Sequence, residues 1–284
     1  MSDVSRVDRP TTGERQYHIA LERGEVAEYV LLVGDPGRVA KVAARWESVE
    51  LERSNREITT ATGSYRGMRI SAMSTGMGTD NVEIVLAEVM EITDRPTFVR
   101  VGSSGALQPE IGLGDLVIST GAVRLENTSD FYVRPGYPAI AHRDVVWALE
   151  SACRTLGITY HVGLTATASG FYAPQGRQMR TLPVRYPHLA EELRREGVAN
   201  LEMESSALFV LAGLAGLRAG TVCAAYAQRV DGTFLEGAAK EAAEARCIDA
   251  GLAGIHLLWE IDLGQNSDPR ERWSSLIGRR AGER

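Results

Sequence analysis

Short apolar runs that end in glycine and are followed by helical spacing recur along this chain of 284 residues, and they restrict the folds open to it. The residues from Tyr29 to Val33 form such a run, which ends in Gly34-Asp35-Pro36, and helical spacing follows from Arg38 to Trp46. Continuous apolar runs of this length are typical of strands that are buried on both faces. The pattern therefore predicts a strand, a turn and a helix.

The alternation continues to the end of the chain. We predict further strands at Arg69–Ser74, Thr97–Val101, Leu116–Thr120, Ile158–Thr167 and Gly220–Ala227, and further helices at Asn81–Glu91, Asp144–Leu156, Met203–Leu217 and Glu236–Ile261. No Pro/Ser-rich linker interrupts these units, so the sequence predicts a single α/β domain with a mixed, largely parallel central sheet flanked by helices. We place this domain at residues 16–262, between a flexible leader (1–15) and a polar tail (263–284).

Composition and charge argue against several classes of protein. The formal net charge of -6 argues against a nucleic-acid binder, which needs clustered Lys and Arg. The longest apolar stretch, Ala207–Leu217, is too short to cross a bilayer and is predicted to be a buried helix. Cys153, Cys223 and Cys247 lack C-x-x-C spacing, which fits reduced thiols and gives no zinc site. Because the N-terminus is polar where a secretory signal is apolar, we predict a cytoplasmic protein.

The turn from Gly34 to Arg38 has the composition of an anion-binding helix start. Asp35 suits the N-cap and Pro36 suits the first helical position, while the glycines let backbone N–H groups approach a ligand. Arg38 would add a full positive charge at this helix N-terminus. A well-capped surface turn is the alternative that these residues leave open.

A second turn, Arg100-Val101-Gly102-Ser103-Ser104-Gly105, places an arginine at a strand end ahead of two hydroxyls. Open α/β sheets bind ligands at such strand ends, where Arg can hold a phosphate through two hydrogen bonds. A nucleophilic serine elbow would need glycine at Ala106, so the spacing argues against one. Similarly, Gly76-Met77-Gly78 lacks the third glycine of a dinucleotide site, where Asn81 stands. A tight turn of small residues remains the alternative for the second turn.

Two further segments carry groups suited to a nucleoside. Phe171 can stack on a base, and Gln175 and Arg177 can read the carbonyl and N–H groups on its edge. In Glu202-Met203-Glu204, a carboxylate can accept hydrogen bonds from ribose hydroxyls while the methionine covers the apolar face of the sugar. An ordinary surface loop and a helix start favoured by the helix dipole are the respective alternatives.

In this order, the segments resemble the nucleoside phosphorylase superfamily of purine and uridine phosphorylases, and in the base-reading loop the uridine phosphorylases. The resemblance extends from His18 to about Leu258. It rests on the Gly-Asp-Pro turn and on Arg-Glu-x-Thr-Thr, Ser-Thr-Gly-x-Gly, Arg-x-Gly-x-x-Gly-Ala, Phe-Tyr-x-x-Gln-x-Arg and Glu-Met-Glu. It implies a nucleoside phosphorylase-like fold and a pentosyltransferase that cleaves a pyrimidine nucleoside, uridine first, with inorganic phosphate and no cofactor.

The resemblance also assigns residues to a site. Phosphate binding falls on Gly34, Arg38, Arg100, Ser103 and a neighbouring subunit's Arg56; ribose binding falls on Met203, Glu204 and the neighbour's His18; base binding falls on Phe171, Gln175, Arg177, Ser104 and Gly105. The residues expected to carry the reaction are Arg38, Arg100, Gln175, Arg177 and Arg229. A site shared in this way implies a homodimer unit, and many relatives form hexamers. Some relatives bind potassium between subunits beside the acid equivalent to Glu57, so the resemblance leaves open a structural potassium ion in this protein.

The base assignment has a second support and some departures. Purine-specific hexameric relatives carry an Asp near the final strand, where this chain has Ala227-Gln228-Arg229, and a cation suits a pyrimidine anion better. However, Gln228 replaces an Asn usual in bacterial uridine phosphorylases, and the segment from Arg177 to Glu202 is shorter than in typical members. The alternatives are a phosphorylase of thymidine, deoxyuridine, purine nucleosides or a broader range, a nucleosidase, or a non-catalytic nucleoside-binding relative. The three arginines assigned to phosphate argue against a nucleosidase, in which water replaces phosphate.

Overall fold

The computed structural model describes residues 9–265, and residues 1–8 and 266–284 lie outside the described part. The strands are β1 (Thr11–Thr12), β2 (Arg15–Gln16), β3 (Tyr29–Val33), β4 (Ser48–Asn55), β5 (Ile58–Tyr65), β6 (Met68–Ser74), β7 (Thr97–Ala106), β8 (Leu116–Leu125), β9 (Ala139–Ile140), β10 (Tyr160–Ala168), β11 (Asn200–Glu202), β12 (Arg218–Gln228) and β13 (Thr233–Phe234). The helices are α1 (Pro36–Ala43), α2 (Thr79–Ile92), α3 (Arg143–Leu156), α4 (Leu189–Arg195), α5 (Ser205–Leu214) and α6 (Gly237–Gln265), with 3-10 turns at Thr128–Phe131 and Ala173–Gln175.

The predicted α/β architecture is confirmed, with helices packed on both faces of a mixed sheet. Successive residues of β3 point to opposite faces, as strand geometry requires. Leu31 and Val33 join a buried cluster with α1, α3 and α6, whereas Val30 and Leu32 join a second cluster with α2 and α5. Burial on both faces explains why this strand is apolar at every position.

The sheet closes on itself in its middle. It has eleven strands in the order β13-β12-β8-β10-β11-β7-β3-β6-β5-β4, with β9 on β8 and an additional pairing of β12 with β7. That additional pairing is parallel and completes a circuit through β12, β8, β10, β11 and β7. Parallel ladders dominate the centre, while the β4–β5 and β5–β6 ladders at one edge are antiparallel. Thus the sheet is not the open sheet on which the ligand-site prediction was based.

The predicted helix at Met203–Leu217 is wrong at its start. The chain continues as strand β11 through Glu202 and becomes helical only at Ser205. The Glu202 carboxylate accepts the backbone N–H of Ser205 at 3.0 Å, so a buried acceptor outside the helix fixes where the helix begins. The hairpin of β4 and β5 was not predicted, since β4 is a largely polar edge strand.

Regular secondary structure continues past both predicted domain boundaries. Helix α6 passes the boundary at residue 262 and ends at Gln265, while the rest of the predicted tail lies outside the described residues. In the predicted leader, β1 pairs with β2, and Arg15 forms an ion pair with Glu25 at 2.5 Å. The apolar segment predicted to be a buried helix forms α5, which is buried from Ser205 to Ala212. Within residues 9–265, no helix has the length and apolarity to cross a bilayer.

Candidate functional site

The topology leaves an opening beside strand β7. Along one edge, β7 pairs with β12 over its whole length. Along the other edge, β3 pairs with β7 as far as Val101, and β11 takes over at Gly105. In the described chain no strand pairs with Gly102–Ser104 on this second edge. A crevice where neighbouring strands part beyond their carboxyl ends is where α/β sheets bind ligands.

The turn after β3 lies at this crevice and has the predicted cap. Asp35 is the N-cap of α1, its carboxylate accepts the N–H of Gly37 at 2.9 Å, and Pro36 occupies the first turn. A Cβ on Gly34 would lie 3.5 Å from the carbonyl oxygen of Gly76, so the two glycine turns are adjacent. Since Asp35 already caps this helix, the positive charge offered to an anion comes from Arg38.

Arg38 is buried and held on two sides. Its Nε donates to Oε1 of Glu244 at 2.6 Å, and its Nη1 donates to the carbonyl oxygen of Val101 at 3.0 Å. Burial disfavours the charge, but the hydrogen bond to Glu244 and the nearby negative groups keep the pKa of Arg38 above its ordinary value. The guanidinium therefore stays charged beside the end of β3.

Arg100 is also buried and folds back over its own strand. Its Nη2 forms an ion pair with the Glu204 carboxylate and lies 3.8 Å from Glu202. Its Nη1 lies 3.5 Å from Sγ of Cys223 on the adjacent strand β12. Burial opposes its charge, but the two carboxylates raise the pKa of Arg100 above its ordinary value. Arg100 and Glu204, predicted to bind phosphate and ribose, are thus in direct contact.

Glu204 and Glu202 have different surroundings. Oε1 of Glu204 accepts the N–H of Gly78 at 2.7 Å, which ties the carboxylate to the start of α2. Glu202 has a fully buried side chain and accepts the hydroxyl of Thr167 at 2.5 Å and the N–H of Glu204 at 3.0 Å. Burial raises the pKa of Glu202. Glu202 therefore fixes the backbone of Glu204. The carboxylate oxygens of Glu204 keep lone pairs that can accept further hydrogen bonds.

The predicted base-reading residues form a second group at the far end of β7. Arg229 Nη2 donates to the carbonyl oxygen of Gln175 at 2.9 Å, and the guanidinium carbon of Arg177 lies 4.1 Å from the centre of the Phe171 ring. Gln175 is 3% exposed, whereas Phe171 is 46% exposed. A Cβ on Gly105 would lie 3.4 Å from the Arg229 side chain, so Arg229 packs against β7.

Two guanidinium nitrogens in this group are buried without a hydrogen-bond partner, namely Nε of Arg177 and Nη1 of Arg229. Burial lowers the pKa of both arginines, and repulsion by Arg177 contributes to lowering that of Arg229 to about 10. Both remain charged at neutral pH, at an energetic cost that an acceptor would relieve. The group is thus suited to a ligand with carbonyl oxygens or negative charge.

The remaining predicted residues, on β7 and directly after β11, lie between the two groups. Ser103 and Met203 are half-buried. Asn200 Nδ2 donates to Oγ of Ser104 at 2.8 Å, which leaves the serine hydroxyl hydrogen for a ligand. At about 3.3 Å per residue, Gly102 and Gly105 are about 10 Å apart along the strand. The crevice thus offers separate positions for an anion, a sugar and a base.

His18 and Arg56 form a separate cluster at the hairpin turn between β4 and β5. Nδ1 of His18 lies 2.6 Å from Oε1 of Glu88, and Arg56 donates to the hydroxyl of Tyr17 at 3.2 Å. Arg56 is exposed and has a left-handed φ of 53°. No contact between this cluster and Arg38 or Arg100 is seen in residues 9–265, and the assignment of both residues to a neighbouring subunit stays a prediction.

Glu57, the residue named for potassium, is exposed at the same turn. Its Cγ lies 3.4 Å from the position that a Cβ on Gly76 would take. Among the described residues, no group of three His, Cys, Asp or Glu side chains could enclose a metal ion. A structural potassium ion beside Glu57 stays a prediction.

Sequence reasoning missed two buried carboxylates that hold predicted site residues. Glu88 lies in α2 and accepts the N–H of Ile19 at 2.8 Å as well as binding His18, and Glu244 lies in α6 beside Arg38. Glu88 shares its helix face with buried Val85 and Ile92, and Glu244 shares its face with buried Cys247 and Ile248. Because charged residues are almost never buried unless paired, a carboxylate in such a stripe was the available signal.

The side chain of Gln228, which departs from the resembled pattern, is hydrogen-bonded to the protein backbone. Its Nε2 donates to the carbonyl oxygens of Gln108 at 2.9 Å and Ile111 at 2.8 Å, and its Oε1 accepts the N–H of Val230 at 2.9 Å. This side chain therefore anchors the backbone on either side of Arg229 and is not directed at a ligand.

The chain is similar to several known proteins. The model of the Phosphorylase superfamily matches residues 28–250. Uridine phosphorylase from Thermococcus kodakarensis is 47% identical over 239 residues, covering 83% of this chain and 86% of the relative. Guanosine phosphorylase from Halorubrum lacusprofundi is 32% identical, covering 80% and 88%. A Trypanosoma brucei nucleoside phosphorylase described as showing uridine phosphorylase activity superimposes with a TM-score of 0.81 at 28% identity, covering 88% of this chain and 100% of that one.

Proposed function

The chain belongs to the Phosphorylase superfamily, and from this premise we propose that it cleaves uridine with inorganic phosphate to give uracil and ribose 1-phosphate. The bond between C1′ of the ribose and N1 of uracil breaks, its electron pair leaves with the base, and a phosphate oxygen bonds to C1′. The proton of the attacking hydrogen phosphate passes through solvent to the uracil anion, which gives neutral uracil. The enzyme is then a pentosyltransferase that needs no covalent intermediate. The buried, unpartnered nitrogens of Arg177 and Arg229 beside Gln175 are the observation that carries this proposal.

The phosphate position lies at the opening beside Gly102. Arg38 on helix α1 and Arg100 on strand β7 contribute guanidinium groups, with the backbone of Gly34 and the hydroxyl of Ser103 proposed to lie beside them. Two arginines here suit a doubly charged oxyanion, which they can hold through paired hydrogen bonds. Positioning this nucleophile under C1′ accounts for much of the rate enhancement that we expect.

Glu204 and Met203 are proposed to hold the ribose between the two ends of the crevice. Glu204 already accepts hydrogen bonds from Arg100 and Gly78, and its oxygens retain lone pairs for ribose hydroxyls. Met203 would cover the apolar face of the sugar. Positive charge that develops on the sugar in the transition state is offset by the bound phosphate.

The base position is built from Gln175, Arg177 and Arg229, with Phe171 against the ring and Ser104 and Gly105 behind it. Negative charge gathers on uracil as the C1′–N1 bond breaks. The two guanidinium groups repel each other while the base is neutral, and the negative charge that develops on the base offsets this repulsion. They therefore bind the transition state better than the substrate.

Arg56 and His18 are proposed to complete the site of a neighbouring subunit, so that the active unit is at least a homodimer. Phosphate is the co-substrate, and no cofactor or potassium ion takes part in the proposed steps. A cytoplasmic location and a role in pyrimidine nucleoside catabolism remain predictions, the former supported by three free, buried cysteines.

The decisive experiment is a nucleoside panel assayed with and without phosphate, in which free base and ribose 1-phosphate are quantified. We expect uridine to be the best substrate, with thymidine and deoxyuridine as the nearest competitors. Preferred turnover of inosine or guanosine would overturn the substrate while leaving the phosphorylase. Base release without phosphate would indicate a nucleosidase, and nucleoside binding without products would indicate a non-catalytic relative.

A further inference from the structure

Glu244 lies in the first third of α6, the last helix of the described residues, and is 8% exposed. Its Oε1 accepts Nε of Arg38 at 2.6 Å, and its Oε2 accepts Nζ of Lys41 at 2.6 Å. Arg38 and Lys41 lie on successive turns of α1. One carboxylate on one helix therefore joins two cations on another, across a sequence separation of more than two hundred residues.

These contacts leave part of Arg38 available. Glu244 takes the Nε donor and the carbonyl oxygen of Val101 takes an Nη1 donor, so neither contact uses the donors on Nη2. A planar guanidinium that is held at two of its nitrogens has a fixed orientation. The orientation of Arg38 is thus set from behind the crevice, by α6 and by the end of β7.

The charges of the cluster also point to an anion. Glu244 is shared between Arg38, which is 7% exposed, and Lys41, whose side chain is 51% exposed, so its charge is not balanced against the buried guanidinium alone. Burial alone would raise the pKa of Glu244, but the hydrogen bonds from Lys41 and Arg38 hold that pKa below its ordinary value, so the carboxylate is ionised at neutral pH. An incoming phosphate would therefore meet a guanidinium whose carboxylate partner also binds Lys41.

We propose that Glu244 is a positioning residue for phosphate, which it serves by holding the Arg38 guanidinium in the orientation that binds the nucleophile. This rests on the proposed function. Glu244 itself touches neither substrate. Without its carboxylate, the Arg38 side chain would be held only at Val101 and would lie near Lys41 with no negative charge between them.

The test compares Glu244→Gln with two matched controls, measuring KM for phosphate and KM for uridine separately. Lys41→Gln removes the other partner of Glu244 but keeps its contact with Arg38. Asp262→Asn removes a carboxylate of the same helix that pairs with Arg218 at 2.5 Å, away from the crevice. We expect Glu244→Gln to raise the phosphate KM by about ten- to a hundredfold, a size typical of a misplaced contact group, with an unchanged uridine KM at saturating phosphate and both controls near wild type.

Four outcomes would overturn the inference while leaving the proposed function standing. The first two are a phosphate KM of Glu244→Gln that is unchanged, or one that is lowered, which would mean that Glu244 competes with phosphate. The other two are an equal rise of the phosphate KM in Asp262→Asn, and an equal rise of the uridine KM in Glu244→Gln. Glu244→Asp, which keeps the charge, serves if the Gln variant does not fold, and its phosphate KM should rise less than that of Glu244→Ala. Absence of phosphate-dependent cleavage in the wild-type enzyme would instead overturn the proposed function.

Discussion

The guanidinium of Arg100 lies against Gly102, on the side where any other residue would carry its Cβ. An added Cβ would overlap Nη1 of Arg100 and would stand 2.8 Å from Sγ of Cys223. The φ angle of Gly102 lies outside the left-handed region, so the backbone conformation does not demand glycine here. The space taken by the neighbouring arginine demands it.

Gly102→Ala is therefore expected to displace Arg100 and to lower kcat/KM for uridine by a hundredfold or more, on the order seen when a positioned charged group is lost. Steady-state kinetics together with thermal unfolding would measure both effects. Gly213→Ala is the control, because Gly213 lies in helix α5 with nothing within 4 Å of its Cβ position. That variant should keep full activity and gain slightly in stability. A fully active Gly102→Ala enzyme would show that Arg100 can leave its present position without consequence.

Mixing two inactive variants should restore activity if the site is shared. Arg56→Ala and Arg100→Ala each damage every site in their own homodimers. A mixed dimer, however, contains one site with both arginines intact. Co-refolding equal amounts should give about one quarter of wild-type activity, because about half of the dimers are mixed and each keeps one of two sites. If the mixture is no more active than the separate variants, the two arginines serve a site within one chain, or Arg56 does not contribute to a site.

Arg177→Ala should lower kcat for uridine by about a hundredfold or more, since it removes a charge that stabilises the leaving base. The phosphate KM should change little, because Arg177 lies in the base group and not beside Gly102. Arg180→Ala is the matched control, an exposed arginine three residues further along the same loop. Equal losses in both variants would point to a general effect of positive charge at this surface.

The stability of the protein should fall at acid pH through His142. This residue is the N-cap of α3, where its Nδ1 accepts the N–H of Asp144 at 3.3 Å. Burial is the main cause that lowers the pKa of His142, with Asp144 opposing and Arg218 and Arg143 adding to it. The folded protein thus resists protonation that the unfolded chain accepts near pH 6.5, so the free energy of unfolding declines as pH falls below that value.

His142→Asn keeps a cap acceptor that does not titrate. Urea unfolding at pH 7.5 and pH 5.0 should show a smaller loss of stability for this variant than for the wild type. An equal loss in both proteins would assign the acid sensitivity to other groups.

Local features of the sequence predicted the strands and helices well where one pattern decided them. Strand β3 has the predicted bounds, because its five residues are apolar throughout and glycine ends it. Likewise, the turn at Asp35 and Pro36 has the predicted cap, since capping depends on neighbouring residues. The grouping of Gln175 with Arg229 rested on the resemblance, and the structure places them in contact.

Contacts between distant segments could not be predicted in this way. The ion pair of Arg38 with Glu244 and the contact of His18 with Glu88 join different elements, and a single chain read by periodicity contains no information on which elements meet. The same holds for the pairing of β12 with both β7 and β8, which closes the circuit. The early start assigned to α5 failed because glutamates suit a first helical turn as well as the strand end that they form here.

The closed circuit of strands gives the two halves of the crevice different mechanical characters. A strand held on both edges can detach only when two ladders break together, so amide hydrogens of Thr97–Val101, which lie between β3 and β12, should exchange with solvent only through unfolding of the whole domain. The chain that carries Phe171 and Arg177 has one short 3-10 turn and mostly exposed side chains, and its amides should exchange much faster. We therefore expect the nucleophile to bind beside the rigid part of β7 and the product to leave from the side of the base.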